Sequence, residues 1–248
     1  MVRETRERMK ENPQLMDLPT SFLEAILSAV EREESGFSDE EVFANAGTLL
    51  LAGEDTTANS IAWCIHYLTK YPEYFGRIRS EVDALVQPGS SVLDLDQTNS
   101  LPILDAFTNE VMRLRPVAPL MAVEANFDVD IMGYQIPKGT TVHILARKMA
   151  TLNSNFVNAS EFDPERWLEV ESLTHSPHNR RAFIPFGAGP RLCPGRNLAL
   201  LEIRMVLAMI CRNFDLEAVQ GDNTVTERMA FTMMPANLRV RLNRRKGF

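Results

Sequence analysis

A mainly α protein with small β-sheets is what the sequence predicts, and three features predict it. Polar caps and prolines bracket long stretches of helical periodicity. Short extended runs with Gly and Pro turns fall in the second half of the chain, and 45% hydrophobic content over 248 residues supplies a buried core. No repeat or linker divides the chain, so residues 1–248 read as one domain.

The elements follow in order. Pro19 to Glu34 carries apolar and acidic residues at helical spacing and ends at Gly36. Ser38-Asp39-Glu40-Glu41 forms a capping box, with Ser38 as N-cap, and opens a helix that extends to Tyr71, where Pro72 blocks continuation. Pro72 suits the first turn of a further helix reaching Val86, followed by a Ser-, Asp- and Gly-rich loop from Gln87 to Ser100. Another helix starts at Pro102 and stops before Pro116. From Val129 the pattern turns extended, with turns at Gly133 and Pro137-Lys138-Gly139 and a β-rich run from Thr140 to Leu145. Asn197 to Ile210 resumes helical spacing, and Ala230 to Leu242 reads as two short strands around Pro235.

Charge and composition exclude several classes. A net charge of −7 opposes nucleic-acid binding, which needs clustered Lys and Arg, and the basic run Asn243 to Lys246 reads as a solvated tail. Three cysteines, Cys64, Cys193 and Cys211, form no C-x-x-C pair and fit a reducing compartment. No stretch reaches the ~18 apolar residues of a membrane span, and the charged start is unlike a signal peptide. These features predict a soluble, cytoplasmic chain.

Three constellations carry chemistry. In the long helix the apolar run Leu49 to Ala52 meets Gly53-Glu54-Asp55-Thr56-Thr57 before Ile61-Ala62-Trp63. One reading is a kink in which Asp55 and the threonines bond one another. The other is that small Ala52 and Gly53 admit a flat ligand while Asp55 and Thr56 deliver protons. Glu110 and Arg113 share a helix face, either as an exposed pair of little energetic weight or, if Arg166 reaches Glu110, as a charge network.

The third is the loop FGAGPRLCPG, Phe186 to Gly195. Its glycines permit close approach, its prolines stiffen the turn, and it presents Cys193 just before a helix. The helix start and nearby N–H groups favour a thiolate. A thiolate on a flat metal cofactor suits haem iron, with Arg191 placed for a propionate and Phe186 shielding the sulfur. A dinucleotide loop fails because its third glycine would fall at Leu192, and zinc needs convergent ligands that His66, His143, His175 and His178 do not supply. A small buried apolar role suits Cys64 and Cys211 but leaves the Cys193 loop unexplained.

Four motifs in order resemble the C-terminal half of a cytochrome P-450, a haem-thiolate monooxygenase. Ala52 to Thr57 is similar to the oxygen-binding groove of the long distal helix, Glu110 to Arg113 to the E-x-x-R pair, Phe162 to Trp167 to the P-E-R-F segment, and Phe186 to Gly195 to F-x-x-G-x-R-x-C-x-G. The resemblance implies a cytochrome P-450 fold incomplete at its N-terminus, with 1–248 as the C-terminal portion of one domain. It implies haem b held by Cys193 as axial ligand, with Phe186, Gly187, Arg191, Gly195, Ala52 and Gly53 around the cofactor. Asp55 and Thr56 become the proton-delivering pair, and Glu110, Arg113 and Arg166 the structural charge network. Val117 to Leu120, with Val117 and Ala118 foremost, and Phe231 to Met234, with Met233 and Met234, match pocket-lining regions. Pro119 to Phe127 lacks the family's basic propionate partner, and Arg147 is the candidate replacement.

The implied reaction inserts one oxygen atom from O2 into a small, apolar organic substrate, using electrons from a separate ferredoxin or reductase. The alternatives are a truncated, non-catalytic haem-binding fragment and a haem-thiolate isomerase or peroxygenase. Without the family's N-terminal helices, the chain is expected to expose apolar distal surface and to bind haem poorly.

Overall fold

Two capping boxes fix where the early helices begin. The computed structural model describes residues 1–32, 36–86, 93–168, 178–219 and 225–246. At Ser21 the side chain accepts from the Glu24 N–H at 3.2 Å while the Glu24 carboxylate accepts from the Ser21 N–H at 3.0 Å. At Ser38 the same exchange with Glu41 runs at 3.3 and 2.8 Å. Each box satisfies N–H groups that the first helical turn leaves without partners.

The chain divides into two compact units, Met1–Glu54 and the residues from Asp55 onward. The first holds α1 (Val2–Glu11), α2 (Gln14–Asp17), α3 (Phe22–Glu31) and the beginning of α4 (Asp39–Lys70). Met9, Leu27 and Val42 form its core, flanked by Leu15, Met16, Leu23 and Ile26. The helix expected over 19–34 is α3, shortened at its start because Ser21 serves as cap; Glu34 lies outside the described residues. The long helix matches its expected bounds closely.

The second unit continues α4 and adds α5 (Pro72–Leu85), α6 (Leu95–Thr98), α7 (Pro102–Leu114), α8 (Ala146–Ala150), α9 (Glu165–Leu168) and α10 (Arg196–Asn213). Pro72 and Pro102 stand at the first positions of α5 and α7, where a missing N–H costs nothing. Glu81 reaches from α5 to accept from the Ile103 and Leu104 N–H groups at 2.7 and 3.1 Å, capping α7. Trp63, Leu68, Ile78, Leu104, Phe107 and Leu207 centre the core. Ile78, Leu104 and Leu207 are fully buried, which stabilises the fold by about 1.5–3 kcal/mol each.

Among the described residues, four antiparallel two-stranded sheets complete the unit. β1 (Met121–Glu124) pairs with β4 (Thr141–Ile144), and β2 (Val129–Ile131) with β3 (Tyr134–Ile136). β5 (Phe214–Ala218) pairs with β8 (Val240–Arg244), and β6 (Thr226–Met229) with β7 (Met233–Ala236). Gly133 closes the β2–β3 turn at φ +89°, its N–H donating to Asp130 Oδ1 at 2.9 Å.

Pro235 departs from expectation. It lies inside β7 opposite Glu227 rather than between two strands. A two-stranded ribbon tolerates it because each strand has an open edge on which a missing N–H breaks no ladder.

Candidate functional site

The Cys193 loop is shaped by backbone chemistry. Gly187 and Gly189 adopt φ +77° and +66°, a left-handed conformation that side chains disfavour. Gly187 packs closely: a Cβ there would stand 3.6 Å from Met121 Sδ and 3.8 Å from the Arg191 carbonyl. A single 3-10 turn, Gly189–Arg191, carries Pro190, and the Cys193 N–H donates to the Phe186 carbonyl at 3.0 Å, closing the loop on itself. The Arg196 N–H donates to the Cys193 carbonyl at 3.3 Å where α10 begins, and Gly195, the N-cap, leaves the sulfur's flank open.

The three thiols differ sharply. Cys64 and Cys211 are fully buried, and burial pushes each up to about 12, so both stay protonated and inert. Cys193 is half-buried. Arg191 beside it is exposed and has no acidic partner among the described residues. A lone accessible thiol on a rigid glycine loop, with an uncommitted guanidinium two residues away, fits a haem and its propionate. Phe186 and Gly187, like Cys193, are half-buried.

Glu110, Arg113 and Arg166 are brought together and excluded from water, which rules out the exposed-pair reading. Arg113 grips Glu110 with two bonds of 2.8 Å, and Arg166 Nε donates to Glu110 Oε1 at 3.1 Å. Two further donors were not visible in the motif: the Asp163 N–H at 2.9 Å and Trp167 Nε1 at 2.9 Å. Burial alone pushes the Glu110 carboxyl up, but these donors and the Arg113 charge outweigh it and hold the group below the usual carboxylate range. Arg113 also donates to the Ala150, Ala159 and Glu161 carbonyls at 2.8, 2.6 and 3.0 Å, pinning the end of α8 and the irregular stretch that follows it to α7.

On α4, Ala52 is half-buried and Gly53 exposed at the end of the first unit, and a Cβ on Gly53 would meet nothing within 4 Å. Asp55 and Thr56 open the second unit, both half-buried. Among the described residues, Asp55 bonds with Asn59 and Thr232 rather than with its neighbours Thr56 and Thr57. Its Oδ2 accepts from Thr232 Oγ1 at 2.6 Å and its Oδ1 from Asn59 Nδ2 at 3.2 Å. The Thr56 carbonyl accepts from Ser60 Oγ at 2.8 Å.

The two stretches expected to line a pocket meet at the backbone. The Met233 N–H donates to the Val117 carbonyl at 2.8 Å, and the Met233 carbonyl accepts from Trp63 Nε1 at 2.9 Å. Val117, Ala118, Met233 and Met234 are all half-buried. None of the four is among the residues that line the shallow groove of about 490 Å³ formed by Pro119, Leu120, Leu145, Arg147, Lys148 and Thr151. Arg147, the candidate propionate partner, gives its guanidinium to Glu227 through bonds of 2.6 and 2.7 Å. Arg115 joins the same carboxylate at 3.0 Å. His175 lies outside the described residues, and His178 instead adjoins the charge network, its Nε2 3.4 Å from Arg166 Nη1.

A mainly helical fold with small sheets, a buried glutamate–diarginine network and a glycine-rich loop presenting one thiol agree with the comparisons to known proteins. The family model described as Cytochrome P-450 matches residues 1–242, and the chain belongs to that family. It is 32% identical over 200 residues to cytochrome P-450 4V2 of Rattus norvegicus, covering 81% of this chain and 38% of that protein. It is 34% identical to the mitochondrial 25-hydroxyvitamin D-1 alpha hydroxylase of Homo sapiens (79% and 38%) and 32% identical to beta-amyrin 11-oxidase of Glycyrrhiza uralensis (91% and 45%). Among solved structures, the cytochrome CYP102L1 superposes with a TM-score of 0.81 at 31% identity, over 98% of this chain and 54% of that one. The heme domain of cytochrome P450DA gives 0.76 at 31% identity over 85% and 46%.

The chain thus spans less than half the length of these curated relatives. Among the described residues, no helix is long and apolar enough to cross a membrane.

Proposed function

We propose that this chain carries the cofactor-binding and proton-delivering part of a monooxygenase. The observation that supports it most is the Cys193 loop, whose left-handed glycines and inward N–H bond hold one accessible thiol at the start of α10. When bound, haem supplies the redox centre at which O2 is reduced and one of its oxygen atoms enters the substrate.

Cys193 would hold the iron through its sulfur, which the loop presents at the start of α10. Arg191 pairs with a propionate, Phe186 and Gly195 shape the sulfur's surroundings, and Gly187 allows close approach of the loop. Asp55 and Thr56 hold and move protons on the oxygen-binding side. Glu110, Arg113 and Arg166 keep the surrounding loops fixed. Val117, Ala118, Met233 and Met234 offer an apolar wall, which suits a substrate class like those in the names of the vitamin D and beta-amyrin relatives. Electrons come from a separate donor protein.

The test is a carbon-monoxide difference spectrum of the reduced, haem-reconstituted chain beside Cys193→Ser. A thiolate signature in the parent and its loss in the variant are expected; a parent spectrum without it overturns the ligand assignment. Product formation dependent on both O2 and a reductant separates the monooxygenase from an isomerase or peroxygenase. A haem-binding chain without turnover is the second reading, and haem uptake with no product under O2 and reductant would select it.

A further inference from the structure

Asp55, Asn59 and Trp63 follow one another at four-residue steps, so they form one stripe along α4. The turn between β6 and β7 runs along that stripe. Trp63 Nε1 donates to the Met233 carbonyl at 2.9 Å, and the residue before, Thr232, sits against Asn59 and Asp55. Thr232 and Asn59 are buried, with relative exposures of 4% and 9%.

The hydrogen-bond directions follow from the donor inventory. A threonine hydroxyl has one proton, and Thr232 Oγ1 gives it to Asp55 Oδ2 at 2.6 Å. Its lone pair accepts from Asn59 Nδ2 at 2.9 Å, and the same amide donates to Asp55 Oδ1 at 3.2 Å. The three side chains close a ring in which both oxygens of Asp55 are accounted for. The backbone of the turn is independently fixed, because the Met233 N–H donates to the Val117 carbonyl at 2.8 Å and the Ala230 N–H to the Thr232 carbonyl at 3.0 Å. Thr232 is thus held in place by its own hairpin rather than by Asp55.

We propose that Thr232 is a positioning residue for Asp55: the β6–β7 turn sets the orientation of the proton-delivering carboxylate, and with Asn59 it ties that carboxylate to the apolar wall formed by Met233 and Val117. The proposal rests on the proposed role of Asp55. It adds a geometric tie: the carboxylate turns away only by breaking its bonds to Asn59 and to a hydroxyl fixed on the hairpin that carries Met233. A hairpin that merely locks the fold needs the Trp63 and Val117 contacts but not a hydroxyl directed at Asp55.

The test reads the carboxylate directly. In the full chain labelled with 13C at aspartate side chains, the Asp55 signal is identified by its loss in Asp55→Asn. Thr232→Val, similar in shape and without a hydroxyl, is expected to shift that signal, and Thr232→Ser to leave it at the parent position. An unmoved signal in Thr232→Val, or an equal shift in Thr232→Ser, overturns the proposal. If Thr232→Val does not fold, Thr232→Ala removes the hydroxyl without strain and is read the same way. Cys193→Ser should not move the Asp55 signal, so failure of the haem assignment and failure of this contact are distinguished. In the haem-loaded enzyme, product formed per O2 consumed should fall in Thr232→Val and recover in Thr232→Ser; an unchanged ratio in Thr232→Val also overturns it.

Discussion

Trp167 Nε1 donates to Glu110 Oε2 at 2.9 Å, making an indole from α9 the fourth side chain or backbone group, after Arg113, Arg166 and the Asp163 N–H, to converge on one buried carboxylate. Removing a charged partner from such a site is far costlier than removing a neutral one. Glu110→Ala leaves two buried guanidiniums uncompensated and should destabilise by about 3–5 kcal/mol, whereas Trp167→Phe deletes one bond to a charged group and should cost roughly 1.5–3 kcal/mol. Urea titration followed by far-UV circular dichroism orders the two; equal losses would mean that Glu110 is not the centre of the network.

Acid should weaken the fold through specific carboxylates. Hydrogen bonds from Arg147, joined by the Arg115 charge, hold the Glu227 carboxyl below its ordinary value of 4.5. A folded-state value below the unfolded one gives stability that is present above the unfolded value and lost as pH falls through the folded one. The stability gap between the parent and Glu227→Gln is therefore expected to be constant at neutral pH and to close below about pH 4.5. Glu81 behaves oppositely. Burial raises its carboxyl, so its contribution is largest at low pH and is lost as pH rises through the raised value. Thermal melts of Glu227→Gln and Glu81→Gln across pH 3–7 check both signs, with approximate limits set by ordinary carboxylate titration.

Two glycines of the Cys193 loop should respond differently to a methyl group. Gly187→Ala forces a side chain into φ +77° and should cost about 1–2 kcal/mol. Gly195→Ala, at φ −83°, should cost under about 1 kcal/mol, yet its Cβ would lie 3.9 Å from Cys193 Sγ. Native alkylation is expected to label Cys193 alone, at a slower rate in Gly195→Ala, while calorimetry registers the loss in Gly187→Ala. Labelling of Cys64 or Cys211 in the folded chain would contradict their burial.

Local signals carried much of this fold. Ser38, Pro72 and Pro102 mark helix starts because caps and first-turn prolines act within a few residues, and α4, α5 and α7 begin where they indicate. Asp94 and Gln97 carry the same kind of signal for α6, a capping box within what reads as a plain loop. Strands β1 and β5 escaped because MAVE and FDLEA lack a firm alternation and become strands only by pairing with partners far along the chain, and TERM of β6 has no apolar alternation although it pairs with β7 across a short turn. In the site, Cys193, Arg191 and the Glu110 to Arg113 spacing were legible as motifs. The bonds from Thr232 to Asp55 and from Trp167 to Glu110 join residues 177 and 57 positions apart, and no local pattern encodes such a meeting.

Among the described residues, each strand of the four two-stranded ribbons has a ladder partner on one side only, and on β7 the other side is already engaged where Met233 bonds Val117 and Trp63. Strand edges without a ladder partner invite a second chain to dock as an extra strand, and their chemistry here resists it unequally. β7 presents Pro235, which cannot donate, and β6 and β8 place Glu227, Arg228, Arg241 and Arg244 along theirs. β1, with Met121, Ala122 and Val123 before a single Glu124, is the least guarded. Concentrated or partly unfolded chains should therefore begin to associate at β1, making Val123 the first position at which a lysine would improve solubility.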